Sequence, residues 1–421
     1  MPIIQRLTAL EILDSRGRPT IRAACELDTG HIGTASVPSG ASTGSAEALE
    51  LRDGDPKRFR GLGCLKAVAN INNELHHALG GQSFTSQQQL DTYLIERDGT
   101  ANKSRLGANA ILAVSLAFAR SAALAQGIPL YRYFADMLQL PLKTLPRPTI
   151  NLFSGGKHAG GQVAIQDVLV VPLAAQTTSD ALAVTYEIYQ CAAEMVLSQY
   201  GMRALKADEG GLAPNFASAE AMIEAAVSAI EKARFKPGVE VALAVDVAST
   251  QFYDAGHYHL GQQRLTGKGM VAILLGWLDA YPIISVEDGL EEEDWTHWTA
   301  FRQPADGRAL VMGDDLLCTN PSRIQKAIDL NAANALLLKV NQIGTLTEAA
   351  AAYQLARAAG WHVTVSARSG ETEDNWLADL AVGWGGDHIK IGSITQSERL
   401  AKYNRLLAIE AESGLTMKAA P

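Results

Sequence analysis

The chain contains few cysteines, no excess of basic residues and no long apolar run that is free of charge. Its four cysteines, among 421 residues, lie far apart and lack the spacing of metal ligands. We therefore expect them to be buried thiols in a reducing compartment. There are 36 basic and 45 acidic residues, which gives a net charge of −9. This balance argues against nucleic acid and against anionic membranes as partners.

No stretch reaches the length of a transmembrane helix without charges, and the first residues lack the apolar core of a signal peptide. The sequence therefore predicts a cytoplasmic protein. A hydrophobic fraction of 47% is that of a globular enzyme. Because 421 residues exceed what one ordinary core holds, we expect two domains.

The first part of the chain predicts an α+β domain. Residues 3–13 and 20–27 have the pattern of two antiparallel strands, whereas residues 64–80 and 107–126 have helical periodicity. We place the end of this domain near residue 135, so that it spans residues 1–135.

A loop at residues 37–45 stands out by its composition. It is rich in glycine, serine and threonine and contains almost no bulky side chain. Such a composition is typical of a plain linker, and equally of a mobile lid or a loop that grips phosphate.

Residues 136–421 alternate between strand and helix. Alternation of this kind predicts a parallel sheet, and six or more units favour a closed TIM-like (β/α)8 barrel over an open sheet. The predicted strands are residues 164–171, 240–247, 282–287, 309–313, 335–340, 362–366 and 387–391. The predicted helices between them include residues 218–234, 344–359 and 398–411.

Six successive predicted strands end in charged residues, and these charges are sorted by sign. One charged strand end is an ordinary solvated tip, but six sorted ends are not expected by chance. Because the carboxyl ends of barrel strands meet on one face, we expect acids on one arc and cations on the opposite arc. The acids are Asp246, Glu287, Asp288, Asp314 and Asp315, and the cations are Lys339, Arg368 and Lys390.

This arrangement predicts a particular chemistry. Three carboxylates without histidine or cysteine partners suit Mg²⁺ better than Zn²⁺. The opposite cations could hold an anionic substrate, and one lysine could act as a base. A lysine beside a divalent ion and a second lysine has its charged form disfavoured, so we expect a neutral amine to be accessible near pH 7.

Long motifs along the whole chain resemble those of the enolase family, whose sites combine a base with one or two Mg²⁺ ions. The resemblance implies an enolase-type barrel with an N-terminal α+β capping domain. It also implies a hydro-lyase that converts 2-phosphoglycerate to phosphoenolpyruvate, and that forms dimers or larger homo-oligomers. The matching motifs are residues 13–17, 38–44, 50–55, 106–110, 208–215, 336–345 and 368–374.

The resemblance also implies roles for individual residues. Lys339 matches the base that removes the proton alpha to the carboxylate, and Glu209 matches the acid that helps the β-hydroxyl leave. The ligands of a first Mg²⁺ match Asp246, Glu287 and Asp314. Ser39 matches a ligand of a second Mg²⁺ that arrives with the substrate. Contacts to the substrate match His158, Arg368, Ser369 and Lys390.

Three departures from the family pattern lie on the substrate side. Ala367 stands where the family has histidine, and Asp167 stands where it has glutamate, so this carboxylate is retracted by one methylene. The segment at residues 391–396 also differs, with Gln396 in place of arginine. The metal ligands and the base match the family pattern.

Three functional hypotheses therefore remain. The first is an ordinary enolase with a modified pocket. The second is a paralogue that acts on a bulkier phosphonate analogue, similar to carboxyphosphonoenolpyruvate synthase, because alanine at position 367 leaves space. The third is a binding or scaffold protein with little catalysis, which the retained metal and acid–base residues argue against. In the first two cases the substrate is a small phosphorylated or phosphonylated hydroxy-carboxylate.

Overall fold

The molecule consists of an N-terminal sheet covered by helices, followed by a barrel. We analysed a computed structural model, which describes residues 2–41, 44–201 and 205–418. Ser42 and Thr43, in the predicted loop at residues 37–45, lie outside the described residues.

Three antiparallel strands form the N-terminal sheet, in the order β1-β2-β3. These strands are β1 (Ile4–Leu13), β2 (Pro19–Leu27) and β3 (Ile32–Ser36). A π-helical turn joins α1 to α2. The helices of this part are α1 (Leu65–Ala69), α2 (His76–Leu79), α3 (Gln87–Asp98), α4 (Ala108–Gln126) and α5 (Leu130–Met137). The strands and helices predicted here are confirmed, and their ends shift by one residue.

Helix α4 is the core helix of the N-terminal part. It is long and apolar enough to cross a membrane, but 83% of its apolar window is buried inside the protein. It packs against β2 and β3. Its charged residue Arg120 pairs with Asp374, which follows a barrel strand. The helix therefore fills the core and ties the N-terminal part to the barrel.

Among the described residues, eight strands close into a barrel. Their order around the barrel is β10-β11-β12-β13-β14-β4-β5-β6. The predicted closed barrel is therefore confirmed. The barrel strands are β4 (Arg147–Ser154), β5 (Asp167–Pro172), β6 (Val241–Asp246), β10 (Ile283–Glu287), β11 (Leu310–Gly313), β12 (Ala335–Leu338), β13 (His362–Ser366) and β14 (His388–Gly392). A small separate sheet consists of β7 (Tyr253–Asp254), β8 (His257–Leu260) and β9 (Gln263–Leu265).

The barrel differs from the prediction in two strands. Strand β5 runs antiparallel to both of its neighbours, so the barrel is not wholly parallel. Its first residue, Asp167, therefore lies beside Ser154 and Asp246, the last residues of β4 and β6. Strand β4 was not predicted, although all of its residues are buried.

Helices surround the barrel and connect its strands. Helix α14 is noteworthy because the face of its first turns is buried beneath the loop that follows β13. The helices of this part are α6 (Thr178–Tyr200), α7 (Ala219–Lys232), α8 (Gly267–Ala280), α9 (Trp295–Ala305), α10 (Pro321–Leu330), α11 (Val340–Ile343), α12 (Leu346–Ala358), α13 (Trp376–Gly383) and α14 (Ser397–Ser413).

Candidate active site

The charged strand ends gather at one mouth of the barrel, and the barrel order confirms that they are sorted by sign. The acid-bearing strands β6, β10 and β11 are neighbours, and so are the cation-bearing strands β12, β13 and β14. Lys390 is the third residue of β14 and not its end, so its side chain starts deeper in the barrel. The two arcs therefore face each other as predicted.

Across the mouth, the cations reach the acids directly. Lys390 Nζ lies 2.7 Å from Asp246 Oδ2 and 2.6 Å from Glu287 Oε2. Lys339 Nζ donates a hydrogen bond to Asp314 Oδ2. The three carboxylates and Lys390 are buried, and the side chain of Lys339 is 11% exposed. A buried charge is tolerated only where a partner compensates it.

The pKa values of these groups reflect the balance of burial and neighbouring charge. Burial and the nearby Asp246 and Asp314 raise the pKa of Glu287 well above its usual value, although Lys390 opposes this shift. Burial lowers the pKa of Lys339, but Asp314 and Glu287 together outweigh it and the net shift is upward. The neutral lysine that we predicted near pH 7 is therefore not a property of the chain alone, since it depended on a divalent ion.

The donor set at the mouth fits a hard divalent ion. Glu287 Oε1 is buried and has no hydrogen-bond partner among the described residues. Asp246, Glu287 and Asp314 offer only carboxylate oxygens, which Mg²⁺ prefers. Among the described residues, two other groups have ligand atoms within 4.8 Å of one another and could hold a metal ion, whereas the predicted set is not brought this close. These groups are Asp288, Asp314 and Asp315, and His158, Asp167 and Glu209.

Ser39, the predicted ligand of a second Mg²⁺, is not brought to these carboxylates. Its hydroxyl donates to Glu50 at 3.0 Å and accepts from Arg52 at 2.8 Å. Its backbone pairs with Gly370 on the loop after β13. The hydroxyl is therefore held by side chains of the N-terminal part, and its role toward a second Mg²⁺ that arrives with substrate stays a prediction. The neighbouring Ala41 does line the cavity at the mouth.

A chain of contacts on the opposite side of the mouth holds the predicted acid. His158 Nδ1 lies 2.9 Å from Asp167 Oδ2, and His158 Nε2 lies 3.9 Å from Glu209 Oε1. Ser154 donates to the other oxygen of Asp167 at 2.5 Å. Asn151 donates to Glu209 Oε2 at 3.0 Å. Both oxygens of Asp167 are thus occupied by the protein itself.

This pairing shifts the protonation of the group. Burial opposes the charged form of His158, but the carboxylates of Asp167 and Glu209 raise its pKa to about 9. Burial raises the pKa of Glu209, but His158 and nearby cations outweigh it, so the net shift is downward. In the chain alone, the proton therefore resides on His158 and not on Glu209.

A small cavity joins the two sides of the mouth. Asp167, which we placed on the substrate side, is fully buried, pairs with His158 and is not among the residues that line this cavity. The methyl group of Ala367 lies in the wall. The lining residues are Ala41, His158, Gln166, Glu209, Asp246, Lys339, Ser366, Ala367, Arg368, Ser369 and Lys390.

The predicted phosphate binders are held by buried side chains that the sequence did not reveal. Arg368 donates to Glu47 with two nitrogens, at 3.0 and 3.1 Å. Arg399 in α14 donates to the backbone carbonyls of Arg368, Ser369 and Ile391 at 2.6 to 2.9 Å. A signal existed for Arg399, because an arginine on the apolar face of an amphipathic helix requires buried acceptors.

The fold and the site define the class of this protein, which is an α/β-barrel with a capping N-terminal domain and a mouth of buried acids facing lysines. Family models match almost the entire chain: "Enolase, N-terminal domain" matches residues 4–134, and "Enolase, C-terminal TIM barrel domain" matches residues 142–420. The chain belongs to the enolase family. A lyase-type function follows from this membership, and the family typically binds Mg²⁺.

Proposed function

We propose that this chain is a Mg²⁺-dependent hydro-lyase that converts 2-phosphoglycerate, or a close analogue, to the corresponding enol compound. One observation carries the proposal. Lys339, whose side chain is 11% exposed, and the buried Glu209 line the same small cavity, which the carboxylate of Asp246 also borders. Removal of a proton and loss of a hydroxyl from adjacent carbons require a base and an acid in this relation.

The base is Lys339. It starts the reaction by taking the proton from the carbon beside the substrate carboxylate, and the electron pair left behind moves into that carboxylate. Such a proton is very weakly acidic, so the negative charge must be stabilised where it develops. Mg²⁺ ions bound by Asp246, Glu287 and Asp314 would supply this stabilisation, and would compensate the acids that hold a proton on Lys339.

The acid side completes the elimination. The electron pair returns to form the double bond, the bond from carbon to the β-oxygen breaks, and the hydroxyl leaves as water after it receives a proton. Glu209 faces this position and is fixed by Asn151. Because His158 carries the proton in the chain alone, we propose that His158 and Glu209 share it when substrate enters.

Turnover of 2-phosphoglycerate tests the proposal. We expect phosphoenolpyruvate to form in the presence of Mg²⁺ at about 10 s⁻¹, a typical enzymatic rate. An excess of chelator should abolish the reaction, and added Mg²⁺ should restore it. Turnover that a chelator leaves unchanged would contradict the role of the three acids. Clear Mg²⁺ binding without turnover of 2-phosphoglycerate would favour the bulkier substrate that the next paragraph describes.

Ala367 favours a second candidate, which is a substrate with a bulkier distal group. The alanine side chain lies in the cavity wall between Ser366 and Arg368, and donates no hydrogen bond there. A phosphonate with an additional substituent would occupy the space that a histidine would fill. We expect Ala367→His to lower activity on such an analogue and to raise activity on 2-phosphoglycerate several-fold. Unchanged activity on both substrates would contradict this candidate.

A further inference from the structure

The guanidinium of Arg368 is already engaged by a carboxylate of the chain itself. Arg368 Nη1 donates to Glu47 Oε2 at 3.0 Å, and Nη2 donates to Glu47 Oε1 at 3.1 Å. The two side chains are only 3% and 9% exposed. A parallel two-point pair is the strongest arrangement open to a guanidinium and a carboxylate, and burial removes the water that would weaken it.

The same guanidinium borders the cavity in which the substrate is expected. Arg368 lines this cavity together with Ser369 and Ala367. An anion that enters from the cavity therefore meets a cation whose charge Glu47 has largely compensated. The anion must either displace the Glu47 carboxylate or bind against its repulsion.

Glu47 has room to move away from Arg368. It borders a second cavity of about 260 Å³, lined also by Gly40, Leu49 and Glu50. Its other contacts are weaker, and consist of the backbone N–H of Gly44 at 3.1 Å and the side-chain amide of Gln342 at 3.4 Å. No helix or strand among the described residues includes Glu47, so a change of its rotamer would break no regular hydrogen bonds.

Arg368 would keep its place if Glu47 moved. Its Nη1 also donates to Asn341 Oδ1 at 3.0 Å, and Asn341 lies in helix α11 directly after the base-bearing strand. The backbone carbonyl of Arg368 accepts a hydrogen bond from Arg399 at 2.7 Å. The guanidinium can therefore exchange one anionic partner for another without leaving the cavity wall.

We propose that Glu47 is a specificity-determining residue: an internal anion that holds Arg368 until the doubly charged distal group of a substrate displaces it. This inference rests on the proposed function, which places the distal group on Arg368. A dianion gains more binding free energy from the guanidinium than is lost when the Glu47 carboxylate leaves it. A monoanion gains no more than this loss. The site therefore selects phosphate-like and phosphonate-like dianions against monoanionic diesters.

Binding of inorganic phosphate to the whole protein tests this proposal. Glu47→Gln keeps the size of the side chain but removes its charge. We expect the Kd for phosphate, measured by calorimetry at pH 8 and constant ionic strength, to fall about tenfold in this variant, which corresponds to ~1.4 kcal/mol. We also expect the monoanion dimethyl phosphate to gain measurable binding. Equal or weaker binding of phosphate would overturn the proposal.

The variant Glu50→Gln is the matched control. Glu50 lies three residues after Glu47 and pairs with Arg52 at 2.9 Å. Its replacement by glutamine changes the net charge of the protein by the same amount as Glu47→Gln. Glu50 acts on Arg368 only through its charge, as a smaller contribution than Glu47, and makes no ion pair with it among the described residues. We therefore expect less than a twofold change in the Kd for phosphate. If the two variants tighten binding equally, a general charge effect is sufficient and the proposal is wrong.

Two further variants separate the failure of this proposal from failure of the proposed function. If Arg368→Met leaves phosphate binding unchanged, the distal group is not held by Arg368 and the proposed function is wrong on that point. If Arg368→Met abolishes binding but Glu47→Gln does not tighten it, only the role of Glu47 is wrong. Should Glu47→Gln fail to fold by circular dichroism, Glu47→Ala takes its place, and an absence of tightening there overturns the proposal equally.

Discussion

The two sides of the barrel mouth differ in how closely they follow the enolase pattern. On the base side, Lys339 and the acids match the family, and Lys390 joins Asp246 and Glu287 in one buried cluster. On the leaving-group side, the chain has Ala367 and Asp167, where the resemblance led us to expect histidine and glutamate. Proton abstraction depends on the first side, whereas the identity of the substrate depends on the second. The difference supports our proposal that the base step follows the family while the substrate is set by Ala367 and its neighbours.

The largest expected effect tests the base side. Lys339→Ala removes the only group that we assign to proton abstraction, so we expect kcat to fall about 10⁴-fold, at the upper end for general base catalysis. KM should change much less, because Arg368 and Ser369 remain. Steady-state kinetics measures this split. Lys326→Ala, an exposed lysine, serves as the control, and a loss of less than tenfold in Lys339→Ala would contradict the assignment.

The next effect concerns stability beneath the base side. His388 is fully buried, and burial lowers its pKa to about 4, so the folded protein favours the neutral form. The unfolded chain binds a proton below about pH 6.5, and the free energy of unfolding should therefore fall by about 3 kcal/mol between pH 7 and pH 4 because of this residue. His388→Gln should flatten this dependence in urea unfolding, whereas His77→Gln, at an exposed site, should not. An unchanged slope in His388→Gln would contradict the prediction.

Binding of Mg²⁺ distinguishes the two sides directly. A ligand that binds only the folded state stabilises it by about 2.7 kcal/mol at a hundred times its Kd. We expect this stabilisation in the native protein and in Asp167→Asn, but not in Glu287→Gln. Thermal unfolding at increasing Mg²⁺ concentrations measures the effect. The comparison between the two sides would fail if both variants lost the stabilisation to the same extent.

The smallest effect tests the leaving-group side. Asp167→Asn removes the charge that faces His158 Nδ1, and a lost buried charge-assisted hydrogen bond is worth about 1.5–3 kcal/mol. We expect kcat to fall roughly 10- to 100-fold. The pKa of His158 should also fall, because the Asp167 carboxylate helps to raise it. Kinetics across pH 6–10 would show both changes, and a pH profile identical to that of the native protein would contradict them.

Much of the fold could be predicted from the sequence, because its periodicity is regular. Two strands and two helical stretches of the N-terminal part and seven barrel strands follow from local patterns, whereas β3, α3 and α5 were not predicted. Strand β4 was not predicted because Pro146 before it and Pro148 within it are typical of a connection between domains. The direction of β5 could not be predicted, since alternation of strand and helix does not specify whether one strand is reversed.

The candidate site was predicted where it depends on strand ends and less well where it depends on side-chain pairing. Asp246, Glu287 and Lys339 sit at the mouth because barrel geometry places them there. The pairing of Glu47 with Arg368 joins segments more than 300 residues apart, so no local pattern indicates it. The contacts of the Ser39 hydroxyl with Glu50 and Arg52 were likewise not predicted, since they become apparent only in the folded chain.

Exchange of the substrate α-proton with solvent deuterium is the most direct test of the central claim, because it reports the base step separately from elimination. In deuterated Mg²⁺ buffer, we predict that the native protein introduces deuterium beside the carboxylate of 2-phosphoglycerate, as observed by NMR. Lys339→Ala should abolish this exchange, and Glu209→Gln should retain it while losing water elimination. Exchange in Lys339→Ala at the native rate would contradict the account.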